Sequence, residues 1–326
     1  MNYIEQAKQY SGTELENIFF RPMLTGNSAR ELGVRVLYNM PQPTYVQLWD
    51  GARNLLQKYT AAGWTGGTAA TRTEKAIQLS RVKAEMGFSA ADYFAMVYEK
   101  VASLVNAHMD DLTGTELEAA ETELFRQSLA ENIRVTMWIG DTSASSGYNT
   151  FNGFLKFIKR GADSEDFYNT VIQADSLSGS DGIVALFDKL WENADPRIHD
   201  SRSQGQLAYF VTSDLYRLYE KYLDSKGGDQ AYVDAQNGRP QLAYHGIPVI
   251  DLQLGSYLSG TSYPPTFCIL TDRRNLVLAV NTADMPGNEV RMWYNPDEME
   301  NRQRAVFMAG CELLDPKLIA YAYKTA

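Results

Sequence analysis

Ala76-Ile77-Gln78-Leu79-Ser80-Arg81-Val82-Lys83-Ala84-Glu85-Met86 reads as one long strand. Apolar and polar residues alternate along it, as expected for an extended segment with one buried face. The alternation slips between Leu79 and Val82, which predicts a bulge or a strong twist there. Upstream, Val34, Val36 and Tyr38 alternate in the same way, and Pro41 and Pro43 forbid a helix. Between these runs, Gly63-Trp64-Thr65-Gly66-Gly67-Thr68 is a flexible tip. Residues 31–88 thus predict a long β-loop, two strands around a Gly-rich tip. A loop of this kind exposes its edges and is poorly covered within a single copy of the chain.

The flanks carry helices and strands in alternation. Residues 1–30 read as an arm: Ile4, Ala7 and Tyr10 make a short amphipathic piece, and Ser11-Gly12, Phe19-Phe20-Arg21-Pro22 and a Gly26-Asn27 turn follow. That is too little apolar content to fold alone. After the loop, Ser89 to Asp92 is a capping-box-like start to a helix running to about Ala107. A second helix begins near Thr113; its Phe125, Leu129, Ile133 and Met137 step by four, and it stops at Gly140-Asp141. A third starts at Ser180 or Asp181, buries Ile183, Leu186, Phe187, Leu190 and Trp191, and is closed by Pro196. Leu207 to Val211 is a strand and Leu215 to Leu223 a helix. The remainder reads as strands. His245-Gly246 makes a tight turn inside Tyr244 to Asp251, Cys268 to Ala279 looks like a hairpin, and a closing stretch runs from Arg302 to Tyr323. The fold class is α+β.

Composition narrows the function. With 40 acidic against 30 basic residues the net charge is −10, which argues against a grip on nucleic acid phosphates. Arg72, Lys75, Arg81 and Lys83 come nearest to a basic tract, but Glu74 interrupts them, so they read as a solvated or intersubunit strand face. Twenty tyrosines are an excess that suits half-buried sheet edges and subunit contacts alike. Cys268 and Cys311 sit in apolar runs and read as small buried hydrophobes without a disulfide framework. Met1 to Ala7 lacks the basic-then-apolar pattern of a signal peptide, and no run is apolar enough to span a membrane.

Equipment for catalysis is sparse. His108, His199 and His245 stand far apart without metal-ligand spacing. Glu118 to Glu123 read as a solvated helix face. Gly140-Asp141-Thr142-Ser143 matches no phosphate-binding pattern. Asp272-Arg273-Arg274-Asn275 has the Asp–Asn bracket of a β-turn, with two arginines placed to reach across a subunit contact. No catalytic residue, metal or cofactor is expected; an enzyme or binding protein with a composite site is the alternative of a different class.

The order of elements resembles the major capsid protein of tailed bacteriophages of the Hong Kong 97 type, a fold shared with encapsulin shells. The Ala76–Met86 strand running into Ser89-Ala90-Ala91-Asp92 resembles the return strand of that family's extended loop. Trp138-Ile139-Gly140-Asp141 with Phe151-Asn152-Gly153-Phe154-Leu155 resembles its Gly-Asp loop, and Phe210 to Leu218 its strand–helix step. Tyr244-His245-Gly246-Ile247-Pro248-Val249 resembles a recurrent Leu-x-Gly-x-Pro-Val phrase, with Tyr244 at the aliphatic position.

The resemblance implies an N-terminal arm (1–30), an extended β-loop (31–88), a peripheral domain (89–205) with a spine helix at 180–195, an axial domain (206–300), and a closing strand of the peripheral domain (301–326). It implies self-assembly into pentamers and hexamers of an icosahedral shell that encloses DNA without sequence-specific binding. Separate scaffolding, portal and decoration proteins are the implied partners, the virion is the location, and the host cytoplasm is the place of synthesis. An encapsulin shell is the alternative within the fold. Phe19, Phe20, Trp64, Arg72, Arg81, Lys83, Arg273 and Arg274 are the expected intersubunit residues. The Lys–Asn crosslink of some members has no counterpart that can be matched here.

Overall fold

Every residue of β7 (Leu207–Val211) is buried, as a strand covered on both faces requires. The computed structural model describes residues 8–10, 32–39, 44–50, 71–89, 116–173, 177, 181–226, 242–281 and 289–324. In chain order the other elements are β1 (Lys8–Tyr10), β2 (Arg35–Tyr38), β3 (Thr44–Asp50), β4 (Thr71–Ile77), β5 (Ser80–Ser89), α1 (Glu116–Ile139), α2 (Phe154–Asp163), β6 (Tyr168–Val171), α3 (Gly182–Glu192), α4 (Pro196–Ser201), α5 (Ser213–Ser225), β8 (Ala243–Tyr244), β9 (Ile247–Asp251), α6 (Gly255–Leu258), β10 (Phe267–Asp272), β11 (Leu276–Asn281), β12 (Glu289–Asn295), β13 (Glu300–Leu313) and β14 (Ile319–Tyr323). The mixture is α+β, as the sequence indicates.

Two six-stranded sheets organise these elements. The first runs β1-β12-β13-β11-β2, with β5 also on β13; the second runs β6-β14-β10-β7-β9-β8. The long strand β13 holds the first sheet together. Ala305 faces Val290 of β12 on one side and Ala84 of β5 on the other, and further along Met308 faces Asn281 of β11 and Arg81 of β5. The second sheet sends alternate side chains to opposite faces. Ala208 and Phe210 join one apolar cluster with α1, α2 and the first sheet; Leu207, Tyr209 and Val211 join another with α3, α4 and α5.

Helix α1 shows how the sequence makes this arrangement. Phe125, Leu129 and Ile133 form one apolar stripe, the period expected for a half-buried helix. From Ile133 to Gly140 every residue is buried, because the last two turns run into the core.

Several expectations are corrected. Pro196 does not close the preceding helix but opens α4, where its missing N–H is no loss; Asp195 caps that helix by accepting from the Arg197 N–H at 2.9 Å. Cys268 to Ala279 is not a hairpin. Strand β10 pairs with β7 and β14, whereas β11 pairs with β13 and β2, and a 3-10 turn at Arg273–Asn275 passes the chain from one sheet to the other. Strands β11 and β12 thus belong to the first sheet, and β14 lies inside the second. The helix expected as a spine at 180–195 packs in the second sheet's cluster, whereas α1 and α2 pack with the first sheet. Its 3.6-residue period reveals a buried face but not the partner of that face. Ser89, the expected start of a helix to about Ala107, is the last residue of β5, and the rest of that helix lies outside the described residues.

Candidate assembly surfaces

Strands β3 and β4 form a ribbon of seven facing pairs, from Thr44 and Ile77 at its base to Asp50 and Thr71. Among the described residues this ribbon pairs with no other strand. Its base is seated on a small apolar cluster of Ile77, Leu79, Val277, Ala279 and Leu314. The single strand expected over Ala76–Met86 is corrected: instead of a bulge or twist between Leu79 and Val82, β4 ends at Ile77, Gln78 and Leu79 are non-strand, and β5 starts at Ser80, so the chain changes sheets there. Gly310 permits the crossing, since a Cβ at that position would lie 2.1 Å from the Gln78 carbonyl oxygen. Lys75 pairs with Glu312 at 3.4 Å and ties β4 to β13. Burial raises the pKa of the Glu312 carboxyl, and the Lys75 ammonium opposes that rise. Sequence alone flags only Gly310, as a glycine inside an apolar strand run; the Lys75–Glu312 pair spans too much chain to be read from spacing.

A second built feature is the loop between α1 and α2. Gly140 and Gly153 meet back to back: a Cβ on Gly140 would lie 2.3 Å from the Phe151 carbonyl oxygen, and one on Gly153 2.7 Å from the Gly140 nitrogen. Lys156 pairs with Asp141 and donates to Asn152 Oδ1 at 2.9 Å, while Asp141 also accepts from the Ser143 N–H at 2.8 Å. The Lys156 ammonium, followed by the Ser143 hydroxyl, lowers the Asp141 pKa to about 2. A free aspartate titrates near ~3.9, so this group contributes stability that is fully present above about pH 4 and lost as pH falls toward about 2. Asp141→Asn should cost about 1 kcal/mol at pH 7 after allowance for partial exposure, and less at pH 3. Urea midpoints of both proteins at the two pH values measure this; an equal cost at both would remove the role given to the charge.

Beside the loop lies a cavity of about 340 Å³ lined by Asp141, Lys156, Lys159, Arg160, Asp163 and Tyr263, among others. Lys159 donates to the Ser262 carbonyl at 3.2 Å and Arg160 lies over the Phe157 ring, whereas the Tyr263 hydroxyl is buried without a hydrogen-bond partner. Among the described residues no group of His, Cys, Asp and Glu is placed to hold a metal ion.

No protein-family model matches the chain, and no curated protein sequence is significantly similar. Solved structures do match its backbone. A chain of the satellite phage P4 procapsid, in a structure that includes the size determination protein, aligns with a TM-score of 0.57 at 7% identity, covering 94% of this chain and 97% of that one. A chain of the capsid of Myoviridae phage XM1 aligns with a TM-score of 0.51 at 11% identity, covering 91% of each. The chain has the tailed-phage capsid fold.

Within this capsid fold the expected contact residues separate. Arg81 and Lys83 are exposed on β5, with Lys83 2.8 Å from Glu85, while Val82 between them is buried. Arg72 lies on β4 opposite Trp49. Phe19, Phe20 and Trp64 lie outside the described residues. Arg274 binds Asp272 at 2.6 Å and Gln204 at 2.7 Å within its own chain. Arg273 folds over Gly33. The cluster expected to be a solvated face holds one buried member, Glu121, at 2% exposure. His199 contacts the Trp191 carbonyl at 2.7 Å, and His245 sits at φ +49 before Gly246 at φ +79, the pair of left-handed residues that a two-residue hairpin turn demands. Both cysteines are free and buried, and burial raises the pKa of each thiol.

Proposed function

We propose that copies of this chain assemble into the pentamers and hexamers of a closed icosahedral shell, as the major capsid protein of a phage or prophage. The carrying observation is the β3–β4 ribbon, which is anchored at its base yet pairs only with itself among the described strands, in a chain with the capsid fold. Seven facing pairs of backbone and an exposed Tyr45, at 56% exposure, are surface that a neighbouring copy can cover. Interfaces of more than about 2,000 Å² are typical of obligate assemblies, and closure multiplies each weak contact.

In this reading residues 1–30 are the arm and the ribbon belongs to the extended loop. Helix α1 with the first sheet forms the peripheral layer, and α3 to α5 with the second sheet form the axial one. The role is structural rather than catalytic. The net charge of −10 suits a wall that encloses DNA without gripping it. Scaffolding, portal and decoration functions belong to separate proteins. The chain is made in the host cytoplasm and ends in the virion; no described helix is long and apolar enough to cross a membrane. No observation favours an encapsulin over a genome container. Negative-stain microscopy of the expressed protein should show closed particles. A strict monomer or dimer under every solution condition would overturn the proposal.

A further inference from the structure

Among the described residues nothing answers the charge on the Arg273 side chain. Its stem crosses Gly33, whose φ is +76; a Cβ at Gly33 would lie 2.3 Å from Arg273 Cδ and 3.0 Å from Nη1. A glycine is thus required twice over at that position, once for the backbone and once for the arginine. Arg273 Nε is shut off from solvent and makes no hydrogen bond. Among the described residues no carboxylate pairs with this guanidinium, whereas its neighbour Arg274 is held by Asp272. Desolvation by burial lowers the Arg273 pKa. A half-buried, unpaired cation is a cost to the isolated chain.

The surroundings indicate what would answer the charge. Arg273 sits beside β2, the terminal strand of the first sheet, whose outer edge pairs with no described strand. Arg35, on β2 two residues after Gly33, is exposed. The chain as a whole carries ten more acidic than basic residues (40 against 30), so a second copy brings surplus carboxylates to this guanidinium. A planar guanidinium suits a carboxylate held through two parallel hydrogen bonds better than an ammonium does.

We propose that Arg273, at the corner between β2 and the turn after β10, is an intersubunit anchor that takes a carboxylate from a second copy of this chain. The inference rests on the shell reading, and the test separates the two. Wild type, Arg273→Met and Arg273→Lys are expressed in parallel. The assembled fraction is read by sedimentation and microscopy, and the melting temperature is read on unassembled protomer. Methionine keeps the apolar stem over Gly33 and removes the charge. Arg273→Met should assemble at least tenfold less than wild type, while its protomer melts at or above the wild-type temperature. Arg273→Lys should fall between the two. If wild type forms no particles, the shell reading fails and this inference with it. If wild type assembles and Arg273→Met does so equally, or loses assembly only in step with a lowered melting temperature, the anchor alone is overturned.

Discussion

Gly310→Ala should destabilise the protomer by about 2–3 kcal/mol, the range of forced overpacking in a well-packed core. The added methyl would stand 2.1 Å from the Gln78 carbonyl oxygen and 3.3 Å from Leu79 Cα, and both are backbone atoms that no rotamer change moves aside. One term has the opposite sign: replacing glycine by alanine restricts the unfolded chain and contributes about 0.4–1 kcal/mol in favour of folding. Steric displacement exceeds it, because moving Gln78 and Leu79 also lifts Ile77 and Leu79 from their cluster with Val277, Ala279 and Leu314. Gly255→Ala is the control, since a Cβ there meets nothing within 4 Å. Denaturant midpoints with unchanged slopes measure both variants. The shell reading adds a second expectation: Gly310→Ala forms fewer particles than its stability alone dictates, because the ribbon no longer leaves β13 at the right angle. A midpoint for Gly310→Ala equal to that of Gly255→Ala would mean that the crossing at Gln78 is not seated as described.

That crossing also shows what the sequence reveals and what it hides. A break in alternation between Leu79 and Val82 is a local signal, and the chain leaves one sheet for another immediately beside it. His245-Gly246 is legible for the same reason: a two-residue turn needs two left-handed residues, and few pairs supply them cheaply. Partnership between distant elements is not legible. Two apolar runs around Asp272–Asn275 look alike whether the strands pair or part. They part because Asn275 reaches forward, donating to the Asp315 carbonyl at 2.9 Å and accepting from its N–H at 2.7 Å. Glu121 lies among polar neighbours in sequence, and only the packing of α1 buries it. The pairing of Lys75 with Glu312 depends on β4 crossing β13, which no spacing encodes. Of the expected contact residues, Arg273 is legible as a cation in a turn, but its lack of a carboxylate partner among the described residues is a tertiary property.

Trp138 is where the two layers depend on a single side chain. It is fully buried at the end of α1, with its ring 5.3 Å from that of Phe154 in α2 and 5.4 Å from that of Phe210 in β7. Trp138→Ala should cost about 4 kcal/mol, the sum of lost transfer free energy and the cavity left between α1, α2 and the second sheet. The backbone is poorly able to close that cavity, because Gly140 and Gly153 are already in contact with it: a Cβ on Gly153 would lie 2.7 Å from the Trp138 carbonyl carbon. Trp138→Phe separates volume from polarity. The indole Nε1 is buried without a hydrogen-bond partner, a deficit of about 1–3 kcal/mol that neither alanine nor phenylalanine carries, so the two variants differ in the volume they leave empty. Phenylalanine loses part of the ring volume but removes the unpaired N–H, so its net cost should stay below about 1.5 kcal/mol. Thermal or urea unfolding of the two variants against wild type decides the matter. Equal, large losses for both would show that the indole N–H is bound in solution and that its hydrogen bond, rather than the ring alone, joins α1 to the second sheet.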